Sequence, residues 1–392
     1  MTADVFFIDL ETSSKENLPQ KLSRLVKKAG IKDILKENDL TSLKIHFGEK
    51  GNTAYIRPVF IRQIIETIKE YKANPFLTDA NTLYAGTRSN SVSHIHTAIE
   101  NGFSYSSMDT TPIIIADGLR GKNTTKVKID QKNCKHVYIG SEIIDSDALV
   151  SVAHFKGHEL SGFGGTLKNI GMGCASRKGK LDMHSRVSPK IKRKTCIGCG
   201  ECANHCPVAA IELKHNDDNE KKAYLDPKKC IGCAECIVRC PTESVKINWN
   251  QTIPVFLEKM MEYTLGVLKN KKGKSFFINF ITDITPKCDC LPYSEAPIVN
   301  NIGILASTDP VAIDQASADL VNEQKAIPGS VLTTNLKPSE DKFKGLYPNV
   351  EWKHQLDYAQ KIGIGTKEYR LVKLKTLSYK KSGGESLPAR TY

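Results

Sequence analysis

The sequence predicts an α/β main domain, a mixed sheet with flanking helices, that is interrupted by a small cysteine-rich α+β domain. Short apolar segments alternate with amphipathic ones in the first part of the chain, and the same alternation resumes near its end. Between these parts the composition becomes glycine-rich after Gly162, then basic, then cysteine-rich. We therefore expect four segments: the main domain's first part at 1–186, the insert at 187–248, the main domain's second part at 249–365 and a C-terminal tail at 366–392.

Strands are predicted at the short apolar segments, and helices are predicted where apolar residues recur every three to four positions. The predicted strands are 5–10, 43–47, 75–79, 112–116, 148–153, 276–280 and 302–306. The predicted helices begin near residues 18, 58, 92, 254 and 309. Asp309 followed by Pro310 is typical of a helix start, because the carboxylate can cap free amides and proline fits the first turn.

Composition limits the compartment in which we expect the protein. Of its 392 residues, 40% are hydrophobic and 25% are charged, as is ordinary for a soluble globular protein. No apolar run approaches the roughly 18 residues of a spanning helix, so we expect no membrane span. The N-terminal residues lack the basic start of a secretory signal. The sequence therefore predicts a cytoplasmic protein.

Eight of the twelve cysteines form two motifs of the pattern C-x-x-C-x-x-C-x-x-x-C-P. Three thiolates separated by two residues can reach three irons of one cubic cluster, whereas the fourth iron needs a cysteine from elsewhere. The alternatives are a zinc ribbon, which uses two C-x-x-C pairs, and disulfides, which need an oxidising compartment. The spacing thus predicts two [4Fe-4S] clusters, one on Cys196, Cys199, Cys202 and Cys240 and the other on Cys230, Cys233, Cys236 and Cys206.

The segment that carries these motifs is similar to bacterial two-cluster ferredoxins over about 60 residues, and the short strands after each Cys-Pro match as well. This resemblance implies electron transport by an iron-sulfur, metal-binding domain.

The formal charge of +13 does not indicate nucleic-acid binding, since no helix-turn-helix, zinc-finger or RNA-binding pattern accompanies it. A basic surface would suit an acidic redox partner protein or a small anionic substrate. The alternative is a lysine-rich surface that is merely solvated. Cluster-bound thiolates would also make the assembled protein less basic than the formal count.

Polar residues follow two predicted strands of the main domain, at the end where open α/β sheets bind ligands. Lys44 and His46 follow one strand, and a glycine-rich segment with two lysines follows another. Glycines free backbone amides that, together with lysine charge, can bind an anion. The alternative is an ordinary tight turn. The candidate anion site consists of Lys156, Gly164, Gly165 and Lys168.

Two further cysteines, Cys288 and Cys290, lie in a loop that we expect at the sheet edge. Cysteines separated by one residue pair with each other only under strain, but both can bind one metal ion or cluster. Cys174, in the basic glycine-rich segment before the insert, is a candidate third ligand. The fourth would be one of three histidines: His154, His158 or His184. The alternative is buried, inert thiols in this loop and a flexible linker around Cys174.

Three stretches outside the insert resemble a family catalogued as domain of unknown function family 362. They are HFKGHELSGFGGTLKNIGMGC at 154–174, CDCLP at 288–292 and NIGILASTDPVAIDQASADL at 301–320. Members often carry a ferredoxin insert, so the resemblance implies the composite architecture described above. It implies no particular reaction.

The sequence as a whole indicates an iron-sulfur redox protein. We expect two clusters to relay electrons to or from a ligand or metal site in the α/β domain, completed by an additional metal, cluster or flavin, as in an oxidoreductase. The alternative is a non-catalytic ferredoxin-type carrier or a subunit of a larger redox complex. More than 300 residues beyond the ferredoxin-like segment favour the first interpretation.

Overall fold

A computed structural model describes residues 2–184, 188–246 and 252–377. The strands are β1 (Ala3–Ile8), β2 (Leu40–Lys44), β3 (Asn74–Thr78), β4 (Thr124–Lys128), β5 (His136–Gly140), β6 (Ala148–His154), β7 (Lys156–His158), β8 (Gly162–Gly164), β9 (Lys190–Ile191), β10 (Ile211–His215), β11 (Lys221–Leu225), β12 (Val245–Lys246), β13 (Ser275–Ile281), β14 (Gly303–Ser307) and β15 (Tyr369–Lys373). The helices are α1 (Leu18–Lys28), α2 (Ile31–Ile34), α3 (Pro58–Lys69), α4 (Ser91–Glu100), α5 (Ser141–Asp145), α6 (Thr166–Gly171), α7 (Arg177–His184), α8 (Glu201–Asn204), α9 (Glu235–Arg239), α10 (Ile253–Asn270), α11 (Pro310–Asn322), α12 (Lys342–Leu346) and α13 (Lys353–Lys361), with one 3₁₀ turn at Arg193–Thr195. Within these described ranges, none of the helices has the length and apolar character needed to cross a membrane.

A mixed seven-stranded sheet forms the centre of the protein, in the order β15-β1-β14-β13-β6-β2-β3. Strand β14 runs antiparallel to both of its neighbours, whereas the other adjacent pairs are parallel. The predicted mixed sheet with flanking helices is confirmed. Because β6, β2 and β3 are parallel neighbours, their carboxyl ends meet at one edge of the sheet.

The sheet separates two hydrophobic cores, since alternate residues of a strand point to opposite faces. In β13, Phe277 and Ile281 pack on one face with α10, α11 and α13. Phe276, Ile278 and Phe280 pack on the other face with α1 and α3. Each such side chain contributes roughly 1.5–3 kcal/mol when it is fully buried. Coverage by helices on both faces explains why the central strands are almost entirely apolar.

Helix α11 begins where its sequence predicts. The Oδ1 atom of Asp309 accepts hydrogen bonds from the amides of Val311 and Ala312, both at 2.9 Å. Pro310 occupies the first turn, where its missing N–H costs nothing. The Oδ2 atom of Asp309 accepts from the amide of Thr366 at 3.0 Å. The cap therefore also fixes the segment that leads into β15.

Residues 188–246 form two small antiparallel ladders, β10–β11 and β9–β12, and the short helices α8 and α9. Ile211, Ala223 and Val245 pack together with cysteine side chains in a small core of their own. These elements lie outside the seven-stranded sheet, which is built from strands on both sides of them in the sequence. The predicted boundaries near 187 and 248 fall outside the described residues.

Two predicted strands differ in the structure. Residues 112–116 are not a strand, although the Pro112 carbonyl and the Ile114 amide each bond to Leu77 at 2.9 Å. The segment continues the hydrogen bonding of β3 through a single bridge, and Pro112, which has no N–H, cannot extend the pairing toward the N-terminus. The strand predicted at 43–47 begins at Leu40 and ends at Lys44. His46 therefore lies just beyond the sheet.

The segment predicted as a peripheral tail begins with an edge strand. Strand β15 pairs in parallel with β1, and Arg370 forms an ion pair with Asp4 at 2.7 Å. The exposed edge of a sheet tolerates polar residues, so the lysine and tyrosine content of this segment concealed its strand. Residues 378–392 of the predicted tail lie outside the described residues.

Asp309→Ala should lower the stability of the fold by about 1–2 kcal/mol, because two amides of α11 lose their acceptor. Asp309→Asn keeps a side-chain oxygen and should retain most of the stability. Anaerobic urea unfolding followed by far-UV circular dichroism compares both variants with the parent chain. Equal midpoints for Asp309→Ala and the parent would contradict the assigned cap.

Candidate functional site

A cavity of about 520 Å³ lies at the carboxyl ends of β2, β3 and β6. His46, Asp79 and His154, which end or follow these three strands, line it. This is the edge at which open α/β sheets bind ligands, and the volume is typical of a small-molecule site.

The four residues of the candidate anion site all line this cavity. The segment is a hairpin, β7–β8, followed directly by α6, and not a free turn. A Cβ on Gly164 would lie 3.0 Å from Lys168 and 3.8 Å from Lys156, so the glycine leaves room for both lysine side chains. The hairpin thus places two lysines on one wall, while anion binding itself stays a prediction.

Lys44 and Arg88 also line the cavity, but buried acidic groups engage them. The Nζ of Lys44 lies 3.0 Å from Asp79 and donates to Asn169 at 2.8 Å. Arg88 contacts Glu49 at 3.1 Å and Asp79 at 3.5 Å. Burial raises the pKa of Asp79, but the surrounding cations, Lys44 first among them, hold that pKa well below its usual value. These cations are therefore neutralised within the wall.

Lys168 and Lys180 keep donors for a ligand. Among the described residues, Lys168 Nζ bonds to the Sγ of Cys288 at 3.3 Å, and Lys180 Nζ bonds to the Ala175 carbonyl at 2.6 Å. An ammonium group has three N–H donors, so each lysine can bind a further acceptor. Burial lowers the pKa of Lys180 to about 8, although Asp117 opposes this shift. The positive charge of the cavity therefore falls as the pH rises through about 8.

Two neutral histidines face the same cavity. The Nδ1 of His46 accepts the Gly48 amide at 3.0 Å, and the Nδ1 of His158 accepts the Ser161 amide at 3.2 Å. Burial lowers both pKa values well below the usual one, and nearby cationic side chains add to this effect. A neutral imidazole that accepts at Nδ1 carries its proton on Nε2. Both rings therefore offer an N–H donor and no positive charge.

His154 is engaged at both ring nitrogens. Its Nδ1 lies 2.9 Å from a carboxylate oxygen of Asp289, and its Nε2 lies 2.9 Å from the Thr282 carbonyl oxygen. Since acceptors face both nitrogens, the ring is assigned as an imidazolium. Burial raises the pKa of Asp289, but His154 and Lys156 outweigh it and hold the pKa well below its usual value. His154 has no lone pair left for a metal ion.

The loop between Cys288 and Cys290 borders the cavity. Cys290 lines it, whereas Cys288 is only 1% exposed. The Cys288 Sγ accepts the backbone amide of Cys290 at 3.4 Å as well as the ammonium of Lys168. A hydrogen bond from the Cys290 side chain, together with the Lys168 charge, holds the pKa of Cys288 well below its usual value despite burial. Cys288 is therefore assigned as a thiolate.

Contacts to its backbone hold the loop that contains Cys288 and Cys290 in place. The Tyr84 hydroxyl donates to the Cys290 carbonyl at 2.8 Å. Two glycines permit a close approach by neighbouring segments, since an added Cβ would lie 2.1 or 2.5 Å from a carbonyl oxygen: Gly157 against Pro286 and Gly51 against Pro292. The positions of both sulfur atoms are therefore set by backbone packing.

The structure does not assemble the predicted third metal site. Cys174 is fully buried in the hydrophobic core, and burial raises its pKa to about 11. Across residues 2–184, 188–246 and 252–377, no group of three or more His, Cys, Asp or Glu side chains is placed to hold a single metal ion. The four thiolates of a cubic cluster each bind a different iron, so this result concerns single-ion sites. Of the histidines considered as ligands, His184 stacks on Phe256 with ring centroids 4.9 Å apart. Cys290 and the three histidines all line the large cavity, whereas Cys174 lies apart from them in the hydrophobic core.

The eight motif cysteines line two further small cavities in residues 188–246. Each set combines three cysteines of one motif with the last cysteine of the other. The first cavity is lined by Cys196, Cys199, Cys202 and Cys240, and the second by Cys206, Cys230, Cys233 and Cys236. Backbone N–H groups donate to two of these sulfur atoms. The Ala210 amide bonds to the Cys206 Sγ at 3.2 Å, and the Ser244 amide bonds to the Cys240 Sγ at 3.1 Å.

Arg177 connects the cysteine-rich segment to the wall of the large cavity. Its guanidinium is 1% exposed and donates to Glu235, at the start of α9, at 2.8 Å. It also donates to the carbonyls of Thr82 and Ser89. The loop 82–89 is thereby held between the cysteine-rich segment and the cavity.

Leu83 belongs to this loop and has two environments. It lines the large cavity, and it packs in the small core that contains Cys196, Cys202 and Cys236. The next residue, Tyr84, is the one that bonds to Cys290. Two consecutive residues thus join the cysteine-rich core to residues 286–292, the thiol loop that contains Cys288 and Cys290.

Sequence reasoning did not select Lys180 or Arg177 individually, although it noted the segment that contains them. The segment is helix α7, not a flexible linker, and both side chains are buried. Residues three positions apart share a helix face, so Arg177 and Lys180, followed by the apolar Leu181, form a pattern that could have indicated burial. Arg88 and Leu83 lie in a loop without such a signal.

Comparisons with known proteins find one matching family and two solved structures of low sequence identity. A family model described as domain of unknown function (DUF362) matches residues 42–319. No curated protein matches the chain. The lactate racemase apoprotein from Thermoanaerobacterium thermosaccharolyticum is 13% identical with a TM-score of 0.37, and the match covers 71% of this chain and 51% of that one. A protein from Thermotoga maritima is 9% identical with a TM-score of 0.38, and the match covers 89% of this chain and 59% of that one.

Sulfate, which keeps its charge between pH 7 and 9.5, should bind the cavity about tenfold more weakly at the higher pH, since one charged contact is lost. The reason is that Lys180 loses its proton through about pH 8. Lys180→Arg should keep the affinity at pH 9.5, whereas Lys180→Met should be weak at both values. Isothermal titration calorimetry measures all three. If the sulfate affinity of Lys180→Met depended on pH as strongly as that of the parent, Lys180 would be excluded as the source of the pH dependence.

Proposed function

This chain belongs to the DUF362 family, whose name assigns no reaction, and we propose that it is an iron-sulfur redox protein. Two [4Fe-4S] clusters, held in residues 188–246, relay electrons to or from a small anionic ligand in the cavity at the sheet edge. The clusters are one-electron carriers when bound. The cavity residues bind and orient the ligand.

The observation that carries this proposal is the grouping of the eight motif cysteines. They line two separate cavities in sets of four, and each set takes its fourth member from the other motif. This exchange is the ligand arrangement of two-cluster ferredoxins, whereas a zinc ribbon is built from two C-x-x-C pairs. Backbone amides directed at Cys206 and Cys240 suit thiolates, whose charge they stabilise.

The large cavity supports a ligand site in the α/β domain. Lys168 and Lys180 supply positive charge, and His46 and His158 supply neutral N–H donors. Lys156 lines the same cavity but lies 3.4 Å from Asp289, which also pairs with His154. Together these groups favour a carboxylate or another oxyanion. A bare carrier would have no use for such a cavity. Leu83, shared by the cavity and the cysteine-rich core, supports a short electron path between them.

Anaerobically purified protein should contain eight iron and eight sulfide atoms, as two cubic clusters require. Cys199→Ser should remove about one cluster's worth of iron and leave the other visible by electron paramagnetic resonance after reduction. Cys134→Ser is the matched control, because that cysteine is buried outside both sets and should change nothing. Unchanged iron in Cys199→Ser would overturn the ligand assignment.

A carrier without chemistry of its own remains distinguishable by experiment. The absorbance spectrum of the same preparation would reveal a flavin beside the broad cluster bands. Protein with eight irons, no other chromophore or metal and no measurable affinity for sulfate or small carboxylates would favour the carrier. Anion affinity that depends on Lys168 supports a ligand site.

A further inference from the structure

We propose that Cys288 and Cys290 form a redox-active dithiol that reduces a small anionic disulfide bound in the large cavity. This chemistry goes beyond cluster-based electron transfer and needs no iron, because thiol–disulfide exchange is complete in itself. The proposal rests on the surroundings of the two sulfur atoms, their access to the cavity and the charge of its walls.

The surroundings of Cys288 are those of a reactive thiolate. A cysteine that serves only as an apolar side chain packs against carbon atoms and keeps its proton. The Sγ of Cys288 instead lies 3.3 Å from the ammonium of Lys168 and accepts the Cys290 amide. A nearby lysine and a backbone donor are the features that stabilise the thiolate form of cysteine in proteins, and a thiolate can accept a proton from a neighbouring thiol.

Access to the cavity differs between the two cysteines and assigns their roles. Cys290 lines the cavity and can meet a ligand, whereas Cys288 is buried behind it. The backbone amide of Cys290 donates to the Cys288 Sγ at 3.4 Å, so the two cysteines belong to one tight turn. Cys290 is therefore the attacking sulfur, and the Cys288 thiolate accepts its proton. Cys288 then becomes the resolving thiol.

The backbone allows the pair to close into a disulfide. The Leu291 amide bonds to the Cys288 carbonyl at 3.1 Å, so residues 288–291 form a tight turn. A turn brings the α-carbons of its first and third residues closer than an extended chain does, toward the separation that a disulfide needs. A disulfide across one residue is strained, and strained disulfides are the readily reduced ones found in catalytic roles.

The walls select the charge of the ligand. Lys156, Lys168 and Lys180 surround the same cavity as Cys290, with the Nε2–H donors of His46 and His158. A volume of about 520 Å³ admits a disulfide that carries two short carboxylate arms. A disulfide with ammonium arms would be repelled by the lysines.

The step balances in atoms and charge. Cys290–SH attacks the ligand RSSR, its proton passes to Cys288, and the first RS⁻ leaves from the mixed disulfide. Cys288–SH then gives its proton to that RS⁻ and displaces the second RS⁻ from Cys290. One thiolate, one thiol and RSSR become one protein disulfide, RSH and RS⁻. The protein pair loses two electrons, and the ligand gains them.

The test uses the full chain under anaerobic conditions with two probes, dithiodiglycolate, which is anionic, and cystamine, which is cationic. Samples are quenched with acid, and peptide masses report the state of each cysteine. The parent should form the Cys288–Cys290 disulfide without a retained adduct, at least about tenfold faster with dithiodiglycolate, since one charged contact has about this effect on binding. Cys288→Ser should retain a mixed disulfide on Cys290, because the resolving thiol is missing.

Lys168→Met should slow the reaction about tenfold at pH 6, where an ordinary thiol is largely protonated, and Lys168→Arg should restore it. Cys134→Ser is the control outside the loop and should react like the parent. Equal rates with both probes, no Cys288–Cys290 disulfide in the parent, or a metal ion released by Cys288→Ser would each overturn the proposal. Because peptide masses do not depend on iron content, failure of the cluster proposal would not affect this result.

Discussion

The buried ion pair between Arg177 and Glu235 determines how the parts of the site meet. A buried charge that loses its partner costs several kcal/mol. Arg239 and Arg120 also contact Glu235, at 3.0 and 3.5 Å, whereas Glu235 is the carboxylate that the buried Arg177 guanidinium contacts. Arg177 uses its remaining donors on the carbonyls of the loop that lines the cavity. One guanidinium thus fixes the cysteine-rich segment, helix α7 and the cavity loop in a single arrangement. A buried pair of this kind often gives little net stability, because desolvation of the two charges offsets their attraction.

Charge balance within the cavity follows a similar logic. Asp79 and Glu49 neutralise the most deeply buried cations, and Asp289 neutralises the His154 imidazolium. These pairs leave an excess of lysine on the walls, together with a thiolate held by one of those lysines. The site therefore combines buried ion pairs with a few charged groups, the wall lysines and the Cys288 thiolate, that can bind a ligand. Ligand binding and thiol chemistry both depend on those few groups.

Much of this arrangement could be predicted from the sequence. Alternating apolar segments indicated the mixed sheet, the Asp309-Pro310 pair indicated a helix start, and the cysteine spacing divided the motif cysteines into two sets. The four residues of the candidate anion site could be grouped from the sequence because glycine and lysine follow an apolar strand, which is a local pattern; the structure places all four on one cavity. Contacts between distant segments could not be predicted in this way. The approach of Leu83 to the cysteine-rich core, the placement of Lys168 beside Cys288 and the burial of Cys174 away from that pair depend on tertiary packing, for which single-chain patterns carry no signal.

The close contact between Gly157 and the Pro286 carbonyl affects how a survey of all single substitutions would be understood. Neither Gly157 nor Gly51 lines the cavity or bears a reactive group, yet a methyl group at either position would collide with the backbone of the thiol loop. Loss of function at these positions would resemble the loss caused by removing a reactive residue. A complete mutational map would therefore mark Gly157 and Gly51 as essential, although neither takes part in the chemistry. Only a direct measurement of cysteine reactivity would distinguish a displaced loop from a missing nucleophile.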